Sequence, residues 1–142
     1  MKKHNSVNLR LVSKKDLRFL YELLKERDPT TNISHQKMPT YNKHVNFVLS
    51  KPYRRWYIIY YEKNKAGSIY LSKQNEIGIF VKKEFFMNGV GTYALKLLMD
   101  LNPREQFLAN INPKNKKLSE FFKKHGFKIL QHTYELCIKN KT

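Results

Sequence analysis

Val81-Lys82-Lys83-Glu84-Phe85-Phe86-Met87-Asn88-Gly89-Val90-Gly91-Thr92 reads as the end of a strand, a loop with two close glycines and the start of a helix. The strand runs from Glu76 to Val81 and is apolar and β-branched. The helix runs from Gly89 to Met99, with Val90, Tyr93, Ala94, Leu97 and Leu98 along one stripe. A helix start presents unpaired N–H groups and the positive end of the helix dipole. Glycines there let a backbone come close to an anion, so the site suits a pyrophosphate, with Thr92, Lys82 and Lys83 as further donors. The same glycines also serve a tight strand-to-helix turn, and both readings stand at this point. No Lys-Ser/Thr follows the glycines, so this is not a P-loop, and Ala94 falls where a dinucleotide fingerprint needs its third glycine.

On the N-terminal side the pattern is a strand (Asn8 to Val12), then a helix capped by Ser13 with Asp16 three residues on. Leu17, Leu20, Tyr21 and Leu24 give that helix its apolar face, and Pro29 ends it. Residues 28–39 read as a loop, and Thr40 to Ser50 as a second helix with Tyr41, Val45, Val48 and Leu49 on one side. Arg55 to Tyr61 is an aromatic strand with half its rings expected inward and half outward. Gly67 to Ser72 and Glu76 to Val81 continue an antiparallel meander. After the glycine-started helix come a strand (Gln106 to Ile111), a helix (Asn115 to Lys124) with Gly126 at its end, and two strands (Phe127 to Gln131 and Thr133 to Ile138). The order βα(α)βββαβαββ implies an α/β (α+β) fold: a mixed, mostly antiparallel central sheet flanked by helices.

A chain of 142 residues suits one domain spanning 1–142, and 41% hydrophobic residues supply a core. No apolar run approaches the roughly 20 residues of a membrane span, and Met1 to Asn5 leads into no secretory signal. One cysteine, Cys137, excludes an internal disulfide, and a cytoplasmic setting is expected. Among His4, His35, His44, His125 and His132 no metal-ligand spacing occurs, so no metal is expected. His35 and His44 read as solvated loop histidines. The net charge of +17 attracts polyanions, yet the lysines are scattered, so charge alone picks no partner.

A second segment matters: Asn110-Ile111-Asn112-Pro113-Lys114-Asn115, then Phe122-Lys123-Lys124-His125-Gly126-Phe127. With Val81 eight residues before Gly89, the pair of segments resembles the GNAT superfamily of N-acetyltransferases over residues 76–127. The resemblance implies acetyl-coenzyme A as acyl donor. It implies that amides of Met87, Asn88, Gly89, Val90, Gly91 and Thr92 hold the pyrophosphate. It further implies that Ile79, Phe80 and Val81 pair with the pantetheine arm, with the Phe80–Val81 amides as oxyanion donors, and that Asn115 bonds the coenzyme from the other side. The thioester would enter a splayed gap between the strands at Glu76 and Gln106. Glu76 stands where several members keep a glutamate base, although a surface carboxylate reads equally well. The chain departs from the pattern at Phe86, in the Arg/Gln position, and at Phe122, in the place of a general-acid tyrosine. Tyr134 is the replacement donor on pattern.

These readings imply an N-acetyltransferase acting on a small primary amine. An amino sugar, free or, in view of the basic surface, nucleotide-linked, is the expected acceptor, because the Asn110 to Phe127 segment looks most like sugar-modifying members. The alternatives are a nucleic-acid-binding module on a degenerate GNAT fold, favoured by the charge, and an enzyme acetylating a protein or peptide amine. No membrane partner is expected, and a homodimer is left open.

Overall fold

The computed structural model describes residues 6–27 and 38–138. Four strands, β1 (Val7–Leu11), β2 (Arg55–Tyr61), β3 (Asn64–Leu71) and β4 (Ile77–Val81), form one antiparallel sheet in chain order. Among the described residues four α-helices flank it: α1 (Leu17–Glu26), α2 (Tyr41–Leu49), α3 (Val90–Leu101) and α4 (Lys116–Lys124). Most of the loop expected at residues 28–39, together with His4 and His35, lies outside the described residues.

Alternation along a strand sends successive side chains to opposite faces. On β2, Tyr57 and Ile59 join Val90, Ala94, Leu95 and Leu98 of α3 and Phe122 of α4. Ile58 joins Leu20 and Leu23 of α1 and Val48 of α2 on the other face. Ile58 and Ile59 are both 0% exposed, so the sheet is covered on both sides. This corrects the expectation that half the β2 rings face solvent: Tyr57 is buried, and Trp56 and Tyr60 pack against the α1/α2 cluster. The α1 stripe includes Leu23, and the α3 stripe includes Leu95, both missed by the spacing.

Ser13 and Asp16 form the expected capping box. It opens a 3-10 turn, Lys14–Asp16, that leads into α1. The Ser13 N–H donates to Asp16 Oδ2 at 2.8 Å, and Lys65 Nζ from β3 reaches Asp16 Oδ1 at 2.8 Å. One buried carboxylate therefore ties the helix start to the sheet. At the far end of α3, Asn102 Nδ2 donates to Tyr57 OH and to Leu98 O, both at 3.0 Å.

His44 is not a solvated loop histidine. It lies on α2, buried, with Nε2 3.2 Å from Leu17 O and its ring against Tyr21 and Tyr41. Burial lowers its pKa below the ordinary 6.5, outweighing the backbone hydrogen bond that acts the other way. The unfolded chain then binds the proton more readily than the folded one. The neutral-histidine contribution is fully present above 6.5 and is lost as pH falls from there through the lowered folded-state value. Acidification from about pH 7 to about pH 5 is expected to lower the urea midpoint. His44→Phe, which keeps a ring and removes the titration, should flatten that slope; an unchanged slope would locate the sensitivity elsewhere.

Three expected strands do not form. Residues 106–111 make a single parallel bridge, Glu76↔Leu108, and then leave the sheet, with Asn110 and Asn112, poor strand formers, following. Residues 127–131 and 133–138 have no regular structure. Their apolar alternation is real, yet Leu136 and Ile138 are 82% and 79% exposed. A strand needs a partner edge, and the segment at Leu108 offers one bridge only. Among the described residues no helix is long and apolar enough to cross a membrane.

Candidate active site

The bridge at Glu76 sets up a gap. Ile77 N donates to Leu108 O at 2.7 Å and Leu108 N to Asn75 O at 2.9 Å, and beyond Leu108 no described bond joins the two segments. In an antiparallel ladder the N–H and C=O of one residue point the same way, and neighbours point opposite ways. Glu76 O accepts from Ser72 N, and Lys82 N donates to Ala66 O, both at 2.8 Å, so the even-numbered residues of this run face β3. Ile79 and Val81 therefore turn their N–H and C=O into the gap. The Phe80 backbone turns to Ser68 on β3, so the amide expected there as an oxyanion donor is engaged within the sheet. The Phe80 side chain packs in the α1/α2 cluster.

Beyond β4 the chain makes a 3-10 turn, Lys83–Asn88, which carries Met87 and Asn88. Gly89 follows with φ of 68° and N-caps α3. That conformation is left-handed, which a Cβ disfavours. No side chain caps this helix end, and the first described donor to find a carbonyl is Tyr93 N, onto Gly89 O at 3.2 Å. The start of α3 thus presents its dipole uncompensated by any side-chain cap. Gly91 has a different reason: a Cβ there would meet Phe121 Cε1 at 3.3 Å, so its bareness lets α3 pack on α4. Thr92 Oγ1 is 3.1 Å from His125 Nε2, so its hydroxyl holds α3 to the end of α4. Burial, reinforced by Lys124 and Lys96, lowers the pKa of His125 and favours its neutral form.

Lys82 Nζ sits 5.9 Å from the Phe19 ring centroid. It lines a cleft of about 420 Å³ with Phe19, Glu22, Leu23, Lys25 and Glu26. Asn115 N-caps α4, its Oδ1 accepting from Leu118 N at 3.1 Å. Phe122 is 3% exposed and packs edge-on against Phe121 and Phe127.

Glu76 shares its sheet face with Gly78 and Phe80. The Ser72 hydroxyl donates to Glu76 Oε1 at 3.2 Å and accepts from Glu76 N at 3.0 Å. The carboxylate is thereby oriented at the mouth of the gap. Tyr134 is not brought to it: this residue is 91% exposed in the irregular C-terminal segment, its ring 6.5 Å from that of His132. Among the described residues no group of histidine, cysteine and acidic side chains could hold a metal ion.

The acetyltransferase (GNAT) family pattern matches residues 17–127. The chain belongs to the GNAT family. It is an acetyl-coenzyme A-dependent N-acetyltransferase. Among solved structures, this GNAT chain is similar to a domain from Methanocaldococcus jannaschii, with 21% identity, a TM-score of 0.77, and 91% of this chain and 92% of that one covered. It is similar to the ribosomal-protein alpha-N-acetyltransferase RimL in complex with coenzyme A (15% identity, TM-score 0.71, 89% and 82% covered). It is also similar to a chimera of the spermidine N-acetyltransferase SpeG from Vibrio cholerae (18% identity, TM-score 0.73, 95% and 88% covered). Among curated protein sequences none matches this chain.

Proposed function

We propose that this acetyltransferase moves the acetyl group of acetyl-coenzyme A onto the primary amine of a small molecule. The observation that carries the site assignment is the gap at β4. A strand edge with unspent N–H and C=O groups, at Ile79 and Val81, leads to an uncapped helix start at Gly89. That edge offers the pantetheine arm a partner strand. The amides around Gly89 to Thr92 offer the pyrophosphate a positive end. Phe86 brings no phosphate donor, so binding rests on backbone groups.

The reaction needs a neutral amine, and Glu76, held by Ser72, takes its proton. The amine nitrogen bonds to the acyl carbon, the intermediate oxyanion accepts from a gap-facing amide such as Ile79 N–H, the nitrogen loses its extra proton to water, and the carbon–sulfur bond breaks to release the thiolate. Phe122 has no proton to give. A thiol ionises near pH 8.5, so a thiolate is a tolerable leaving group and water suffices as the donor. The amino-sugar acceptor finds no support: the acceptors named for the similar solved enzymes are a ribosomal protein and spermidine.

Titration calorimetry with acetyl-coenzyme A is the direct test. Binding on the order of 10 µM or tighter is expected. Gly89→Val places a β-branched residue in a left-handed conformation, at about 1–2 kcal/mol of strain. It should weaken the coenzyme about tenfold or more while acceptor-side variants leave affinity unchanged. A folded protein that binds no coenzyme would end this reading.

A further inference from the structure

On the α1/α2 side of the sheet, Trp56 of β2, Tyr70 of β3 and Gly78 of β4 stand in one lateral row. The Tyr70 ring lies over Gly78: a Cβ built there would collide with Tyr70 Cζ and Cε2. Gly78 is therefore the bare floor on which the ring rests, next to the gap. The other face of Tyr70 is covered by Tyr53, with ring centroids 3.7 Å apart and planes 1° from parallel. Aromatic rings prefer offset or edge-on contacts at larger spacing to a face-to-face sandwich. The neighbouring contacts obey that preference: Tyr53 meets Trp56 edge-on at 4.8 Å and Phe47 edge-on at 5.9 Å. Tyr53 belongs to the short connection between α2 and β2, where Lys51 has a φ of 53°. Beside this cluster Trp56 Nε1 is buried with no hydrogen-bond partner.

We infer that Tyr53 is a removable plug in an acceptor slot built on Tyr70 and Gly78, and that the slot takes a planar aromatic amine carrying a single positive charge. A flat ring seated on Tyr70 takes the place of Tyr53, and its amine arm reaches the carboxylate of Glu76. Glu76 and Tyr70 are near enough to interact electrostatically, which puts the anionic end of the slot at the gap. The charge of Arg27 is felt by both Tyr53 and Tyr70, so a second ammonium along the ligand is repelled. Burial pushes both phenols above their ordinary range, so the slot walls stay neutral. This rests on the acetyltransferase reading for the reaction, while the slot itself is tested by binding.

Trp56 is the chain's one tryptophan, so its emission reports on Tyr53 directly. With coenzyme A saturating, phenethylamine is expected to change that emission saturably, with a Kd on the order of 1 mM or below. Cyclohexylethylamine, of similar size but not planar, should bind at least about fivefold more weakly. Spermidine and glucosamine should give no saturable change. Tyr70→Leu should weaken phenethylamine about tenfold with coenzyme affinity unchanged. If that variant fails to fold, Tyr53→Leu, which keeps the Tyr70 face and removes the plug, should tighten phenethylamine. No response to phenethylamine, equal binding of the two amines, preferred binding of spermidine or glucosamine, an unaffected Tyr70→Leu, or weaker binding by Tyr53→Leu each overturns the slot. Failure of coenzyme A to bind instead overturns the acetyltransferase reading, and the phenethylamine titration without coenzyme then decides the slot by itself.

Discussion

Glu76→Gln is expected to lower turnover about 10²–10⁴-fold, the range for loss of a positioned general base, and to leave coenzyme affinity unchanged. The substitution is nearly isosteric. Its amide oxygen still accepts from the Ser72 hydroxyl, which now holds Oε1 at 3.2 Å. The backbone contacts of residue 76, to Leu108 through the bridge and to Ser72, are untouched. What disappears is the capacity to take a proton from the incoming amine. The measurement is free-thiol release, using whichever amine gives activity with the parent enzyme, at saturating acetyl-coenzyme A. Unchanged turnover across pH would remove Glu76 as base and leave the amine to lose its proton to water.

Gly67→Ala is expected to destabilise the fold by about 1–3 kcal/mol, through overpacking that the backbone cannot relieve. Gly67 lies opposite Val81 on β4 and opposite Ile59 on β2, beside the register shift between Ile59 and Tyr60. A Cβ there would collide with Phe80 O, and would lie 2.9 Å from Val81 Cα. Both neighbours are backbone, so no rotamer change yields room. The strands would separate at the end of β4 where the glycine loop begins, so coenzyme affinity should fall as well. Urea unfolding gives the stability and calorimetry the affinity. A midpoint matching that of the parent would show that the sheet accommodates a methyl group there.

Much of the secondary structure was legible because its signals are local. The Ser13–Asp16 capping box, the helix-start glycine Gly89 and the helix-ending Gly126 each act within a few residues of themselves. The helical stripes located α1, α3 and α4 to within a few residues. Their details failed where burial depends on what lies opposite. Leu23, Leu95 and His44 are buried because another element covers them, and no spacing rule contains that element. The strand patterns at residues 106–111 and 127–138 failed for a related reason. Alternation states that a segment is able to pair, and pairing needs an edge in register.

The same division runs through the site. The residue pattern alone placed the end of a strand at Val81, a helix from Gly89 and a further helix from Asn115, and these carried the resemblance to the family. It could not say which amides face the gap. That parity follows from the β3–β4 ladder, which spends Phe80 on Ser68 and leaves Ile79 and Val81 open. Nor could it tell that Phe122 is buried in the core, that the Thr92 hydroxyl meets His125, that Tyr134 stands in solvent, or that Tyr70 lies across Gly78. Caps, turns and periodicities are set by neighbours along the chain, whereas unspent edges and occupied faces are set by what the folded chain brings alongside them.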